Sequence, residues 1–183
     1  MNSEYPLQLT NLGIEGAYKI HSAKAKDARG YFSTMWSQEF AAKASMKAPE
    51  NLYKSFTLDQ GTIRGLHYQV APFEEQKFVF CSSGRAFDVV IDLRKNSKSY
   101  LKWASIELSS ELSESIYVPA GCAHGFQALT SNTTMIYLST AVYSPSAQRG
   151  IRYNDPTFSI SWPLAVSKIS DYDKNISDYE ENL

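Results

Sequence analysis

The chain contains three histidines, and two of them sit among residues that could do proton chemistry. His67 lies in the run Gly61-Thr62-Ile63-Arg64-Gly65-Leu66-His67-Tyr68-Gln69, and His124 in Pro119-Ala120-Gly121-Cys122-Ala123-His124-Gly125-Phe126-Gln127. A histidine in a strand is more often structural than catalytic, but here Arg, His, Tyr and Gln fall within six residues of a β-type stretch. Burying that many polar groups is costly unless they line a wet pocket. Arg64 and His67 are three residues apart, which places them on opposite faces of a regular strand. Gly61 and Gly65 allow a bend or a close backbone approach at the same point. Lys77 opens an apolar strand two residues after Glu75, so the pair shares a face. It reads equally as a solvated edge pair or as a cation aimed into a cavity, where it would stabilise a developing anion.

Other chemistries have weaker support. Metal-binding barrels present a His-x-His pair with further ligands at close spacing, and no His-x-His occurs here, which argues against a metal. Cys122 precedes His124 by two residues, but a lone thiol is by default a buried structural group. Neither a phosphate-binding P-loop nor a GxGxxG pattern is present.

The elements that would hold these residues are mostly strands. The stretch Ser37–Ala48 is rich in helix formers, with Ser37 placed to cap it, Phe40 and Met46 placed for partial burial, and Pro49 to end it. From Leu52 onward the chain reads as β. Phe78–Cys81 and Ala86–Leu93 flank Ser82-Ser83-Gly84-Arg85 and predict a hairpin. Trp103–Leu108 and Ser115–Val118 predict a second strand pair, and Thr133–Tyr143 alternates with Met135, Tyr137 and Ser139 on one side. Many short, evenly spaced strands indicate an all-β sandwich or barrel with few, short helices. The polar tail from Ile169 to Leu183 reads as a closing helix or strap.

The 183 residues suffice for one domain spanning 1–183, and 43% hydrophobic content supports a packed core. With 18 basic and 19 acidic residues the formal net charge is −1, which leaves no electrostatic footprint for nucleic acid or an anionic membrane. Two distant cysteines, no long apolar run and no leader-like N-terminus point to a cytoplasmic protein.

Taken in order, these segments resemble the dTDP-4-dehydrorhamnose 3,5-epimerase family. The resemblance begins at Asp27-Ala28-Arg29-Gly30-Tyr31-Phe32 and runs through GTIRGLHYQ, Lys77-Phe78-Val79, DVVIDLR with Ser97, and YVPAGCAHGFQAL. It continues through Tyr137, Tyr143, GIRYNDP and ISWP to Ile169-Ser170-Asp171-Tyr172-Asp173. It covers about residues 11–175, and the ordered set is far more specific than any one motif.

The resemblance implies a double-stranded β-helix, the cupin-type jelly roll, acting without metal or organic cofactor on a nucleoside-diphosphate (dTDP) 4-keto sugar. The ketone at C4 acidifies the hydrogens on C3 and C5, so a base can remove one, form an enolate and allow reprotonation on the opposite face. The resemblance assigns His67 as base, Asp173 as its orienting carboxylate with Asp171 as a near neighbour, Lys77 as the cation facing the enolate oxygen, and Tyr137 as acid. It further assigns Arg29 to the diphosphate, Tyr143 to stacking on the base, and Arg64, His124, Ser55 and Gln69 to the substrate pocket. Homodimers with a crossing N-terminal segment are implied as well.

Several positions depart from the family pattern. Asn51 and Tyr53 stand where a Gln-x-Asn-x-Ser strand is usual, and Thr34 and Gln148 replace glutamates. The proton-transfer set is intact and the sugar-contacting set altered, so the sugar and the number of carbons inverted stay open. A 3,4-ketoisomerase, a binding module without catalysis and a metal-dependent cupin dioxygenase are the competing readings.

Overall fold

The computed structural model describes residues 7–180; residues 1–6 of the N-terminal segment and 181–183 of the tail lie outside it. Thirteen strands and two short helices follow one another as β1 (Leu7–Asn11), β2 (Tyr18–Ser22), β3 (Ala25–Asp27), β4 (Gly30–Phe32), α1 (Gln38–Lys43), β5 (Asn51–Thr57), β6 (Ile63–Gln69) and β7 (Lys77–Ser83). The series continues with β8 (Arg85–Asp92), β9 (Trp103–Ser109), β10 (Glu114–Val118), β11 (Cys122–Ala128), β12 (Thr133–Ser139), β13 (Gln148–Gly150) and α2 (Asp171–Lys174). They form a six-stranded sheet in the order β1-β2-β10-β7-β12-β5, a five-stranded sheet in the order β13-β6-β11-β8-β9, and the small β3–β4 ribbon.

From β5 onward nearly every connection crosses between the two large sheets, which makes a cupin jelly roll. The exception is β8–β9, a same-sheet antiparallel pair running from Arg85↔Ser109 to Ile91↔Trp103. The hairpin expected across Ser82–Arg85 is therefore not formed. β7 pairs with β10 and β12, and β8 pairs with β9 and β11. Gly84, at φ 77°, turns a corner between sheets; a Cβ there would lie 2.7 Å from Thr130 Oγ1 and from Thr133 Oγ1. β9 and β10 likewise belong to different sheets.

Apolar alternation explains the layers. Val79, Cys81, Ala86, Val90, Leu108, Ile116, Phe126 and Met135 from both sheets interdigitate as the central core. Leu66, Val89, Ile91 and Ala123 turn to the other face of the five-stranded sheet, where Ile151, Phe158 and Ile160 cover them. With both faces covered, β11 is buried at every residue. On the outer face of the six-stranded sheet, Phe40, Ala41 and Met46 pack on Ile20, Phe78 and Tyr117.

Ser37 caps α1 as expected, its hydroxyl accepting from the Phe40 N–H at 3.1 Å. The helix stops at Lys43 rather than reaching Ala48. Ser45 takes φ 53°, the Met46 N–H returns to the Ala41 carbonyl at 2.8 Å, and the Ser45 N–H returns to Ala42 at 3.2 Å. That is a Schellman ending with serine in the position glycine usually marks, so composition alone overran it.

Candidate active site

Between the two sheets lies a cavity of about 910 Å³. His67, Arg64 and His124 enter it from the five-stranded sheet, and Ser55, Lys77 and Tyr137 from the six-stranded sheet. Arg64 and His67 thus share the cavity, contrary to the parity of a regular strand. Opposite β11, the step from His124 to Phe126 spans the three-residue step from His67 to Arg64, so β6 carries one extra residue. This bulge resets the pleat and brings both side chains inward. Glycines permit it. A Cβ on Gly65 would lie 2.7 Å from the His124 carbonyl oxygen, and one on Gly125 would lie 2.6 Å from that of Arg64. Arg64 then reaches across to β5, donating to Thr57 Oγ1 and to the Phe56 carbonyl, each at 2.9 Å.

His67 Nε2 is 2.5 Å from Asp173 Oδ1. The carboxylate is delivered by α2, where Ser170 caps the helix and its hydroxyl accepts from the Asp173 N–H at 3.1 Å. Asp173 is buried and Asp171 exposed, so Asp173 is the carboxylate that meets the imidazole. The Gly65 N–H donates to its other oxygen at 3.2 Å. Burial opposes the Asp173 charge, but the hydrogen bonds from His67, Gly65 and Ser170 and the imidazole's charge outweigh it and hold the carboxyl below the usual aspartate range. An ionised carboxylate only accepts, so His67 Nε2 carries the proton and Nδ1 is left as the basic nitrogen. Tyr172 lies against the same imidazole, with ring centroids 5.8 Å apart.

Tyr137 lines the same cavity from the other sheet. Burial pushes its phenol well above the ordinary tyrosine range, despite a 3.2 Å hydrogen bond with Ser55, so the proton stays available for donation. Its ring meets the edge of His124, centroids 6.2 Å apart. His124 Nε2 in turn pairs with Asp88 Oδ1 at 2.8 Å, the two side chains being 3% and 0% exposed. Burial raises the Asp88 carboxyl, opposed by the charges of His124 and Lys77. Sequence reasoning assigned no role to Asp88; its one signal was an acidic residue inside the apolar run Ala86–Leu93.

Lys77 resolves its two readings in favour of the cavity. Its ammonium lies 3.0 Å from Glu75 Oε1, and both side chains are only 13% exposed. It also donates to the His67 carbonyl at 3.4 Å, which fixes it beside that residue. Glu75 is held in turn by the Ser139 hydroxyl at 2.7 Å.

The expected substrate-binding residues divide into three groups. Arg64, His124, Ser55 and Tyr143 line the cavity, together with Tyr53 and Gln148. Gln69 is buried, and its amide is engaged by main chain: it donates to Phe73 and Val142 carbonyls at 3.0 and 3.2 Å and accepts from the Ser144 N–H at 2.6 Å. Its amide shapes the loop, and the residue lines an adjoining cavity with Tyr53, Arg64, His67 and Lys77. Arg29 does not reach the cavity of its own chain. It sits on the β3–β4 turn with its side chain 90% exposed, paired to Asp27 at 2.7 Å.

Cys81 and Cys122 are buried free thiols, pushed up by that burial to about 11 and about 12, which suits packing and not nucleophilic attack. Among the described residues, no group of three or more His, Cys, Asp or Glu side chains is gathered to hold a metal ion. No helix among them is long and apolar enough to cross a membrane.

The chain is similar to known proteins in both sequence and fold. The family model for dTDP-4-dehydrorhamnose 3,5-epimerase matches residues 11–181. The dTDP-4-dehydrorhamnose 3,5-epimerase of Sinorhizobium fredii is 40% identical over 161 residues, 87% of this chain and 82% of that protein. A dTDP-4-dehydrorhamnose 3-epimerase of Streptomyces niveus is 33% identical over 92% of this chain and 82% of its own length. In three dimensions the chain is similar to the dTDP-4-dehydrorhamnose 3,5-epimerase of Bacillus anthracis, solved with TDP and PPi bound. The TM-score is 0.89 at 28% identity, covering 95% of this chain and all of that one.

Proposed function

The chain belongs to the dTDP-4-dehydrorhamnose 3,5-epimerase family, and we propose that it inverts C3, C5 or both of a dTDP-4-keto-6-deoxy-hexose by removing and replacing a proton. The observation that carries the reading is the placement of a carboxylate-oriented imidazole and a protonated phenol on opposite walls of one cavity, His67 on β6 and Tyr137 on β12. Inversion needs a base on one side of the sugar ring and an acid on the other, and two facing sheets supply both.

His67 Nδ1 takes the hydrogen beside the ketone, and the C–H electron pair moves into an enolate. Asp173 stabilises the resulting imidazolium through Nε2–H. The Lys77 ammonium, fixed by Glu75 and the His67 carbonyl, faces the enolate oxygen. Tyr137 then gives its proton to the opposite face of the same carbon. His124, backed by Asp88, and Arg64 complete the walls, while Tyr143 at the rim stacks on the nucleobase.

A homodimer accounts for Arg29. β5 is an edge strand of the six-stranded sheet with Leu52 and Phe56 exposed on it and Leu58 exposed just beyond it, and Phe32 on the β3–β4 ribbon is 68% exposed. Pairing two copies would bury these and bring Arg29 to the partner's diphosphate site. Sedimentation velocity at micromolar concentration is expected to give twice the mass of the 20.6 kDa chain.

The activity is tested by incubating the protein with dTDP-4-keto-6-deoxyglucose and assigning the product by NMR. Inversion with the ketone still at C4 supports the reading. A ketone moved to C3 would make the protein a 3,4-ketoisomerase instead.

A further inference from the structure

The segment 142–145, between β12 and β13, carries Tyr143 and Pro145 into the cavity wall. It is clamped at three consecutive residues. Gln69 holds the Val142 carbonyl at 3.2 Å and the Ser144 N–H at 2.6 Å. Between them, the Tyr143 N–H donates to Tyr53 Oη at 3.2 Å.

The two clamps differ in kind. Gln69 is 3% exposed and spends its amide on main chain, so it holds the segment whether or not the cavity is filled. Tyr53 is 37% exposed and itself lines the cavity. It stands directly opposite Tyr137 in the β5–β12 register, and directly opposed residues project from the same side of a sheet. Two positions further along β5, Ser55 holds the Tyr137 phenol. One strand thus reaches both the proton-donating end of the cavity and the segment at its rim.

We infer that Tyr53 is a positioning residue that fixes Tyr143 for the nucleotide and thereby sets nucleotide affinity. The inference rests on the proposed function, in which Tyr143 meets the base. The Tyr143 peptide is exposed, so without the phenol its N–H turns to water and the aromatic side chain must be ordered anew at each binding event. A phenol oxygen that accepts one N–H also keeps its own proton to donate, so the same group can meet a ligand oxygen without releasing the segment.

The test uses Tyr53→Phe, which keeps the ring and deletes the acceptor, with two readouts on the full chain: exchange of the Tyr143 amide by NMR, and calorimetric titration with dTDP. Loss of one net hydrogen bond is expected to weaken dTDP binding about five- to tenfold and to raise KM for the nucleotide sugar in step, with kcat changed less. The Tyr143 amide is expected to exchange faster by a similar or larger factor. Unchanged exchange overturns the clamp, and faster exchange with unchanged dTDP affinity overturns its coupling to the nucleotide. If the unaltered protein binds no dTDP, the proposed function itself fails and takes this inference with it. Normal binding by the unaltered protein and by Tyr53→Phe alike overturns the inference alone.

Discussion

Asp173 and His67 are 106 residues apart in sequence and 2.5 Å apart in the fold, with the carboxylate 5% exposed behind an imidazole that is 32% exposed to the cavity. The burial order suits the proposed mechanism, in which the sealed carboxylate orients and the open imidazole reacts. Ser170 at the head of α2 and the Gly65 N–H at the bulge of β6 hold the carboxylate there.

Replacing Asp173 by asparagine keeps the shape but removes the charge and turns one of the two acceptor oxygens into a donor, so the imidazole tautomer is no longer dictated. Turnover is expected to fall by about 10²-fold or more, with KM little changed, because the loss falls on the charged transition state. Steady-state kinetics on the folded variant check this.

The same carboxylate has a pH signature. Its folded-state value lies below the ordinary 3.8, so its stabilising effect is present above that value and is lost as pH falls through the lower folded one. Urea midpoints of the unaltered protein and Asp173→Asn should therefore differ near neutral pH and converge in acid. A difference that persists unchanged into acid contradicts an ionised, paired Asp173.

The Gly65–Gly125 crossing sets the bulge on which Arg64 and His67 share a cavity. A Cβ at 125 would meet the Arg64 carbonyl at 2.6 Å and the Leu66 Cα at 3.1 Å, both backbone atoms that yield only by moving the strand. Gly125→Ala is expected to cost about 1–3 kcal/mol, read as a lowered thermal midpoint, together with lost turnover. Full activity at unchanged stability would show that the crossing is not needed.

The catalytic role proposed for Lys77 can be separated from its structural one. Lys77→Met strands the Glu75 carboxylate in a site 13% exposed, so it should lose both stability and turnover, the latter by about 10²–10³-fold. Adding Glu75→Gln removes the stranded charge. The double variant is expected to regain stability and not turnover; recovery of turnover as well would mean that Lys77 serves the fold only.

The strand pattern sufficed to indicate an all-β sandwich or barrel, while the jelly roll and most of the cavity-lining residues came from the family resemblance carried by the ordered motifs. What stayed hidden depended on long-range geometry. A turn at Ser82–Arg85 looks the same whether the next strand folds back or crosses to the other sheet; β7 and β8 cross. Strict alternation put Arg64 and His67 apart, and one extra residue reversed it. Gln69 resembled a ligand contact because its type and place fit one, yet three backbone groups claim its amide. Asp88 was masked by its apolar neighbours and acquires meaning only with His124 opposite it. Choosing Asp173 over Asp171 was within reach of local reasoning, since Ser170 and Asp173 have the three-residue spacing of a helix cap.

In the proposed mechanism base and acid act from opposite walls, and solvent deuterium reports on each of them separately. In deuterated water with dTDP-4-keto-6-deoxyglucose, the unaltered protein should place deuterium on an inverted carbon. His67→Asn should abolish wash-in, because no group remains to take the hydrogen. Tyr137→Phe should still exchange deuterium, returned by His67 to the face it left, and should invert little or nothing. Inversion at near-normal rate by Tyr137→Phe, or wash-in by His67→Asn, would contradict the account.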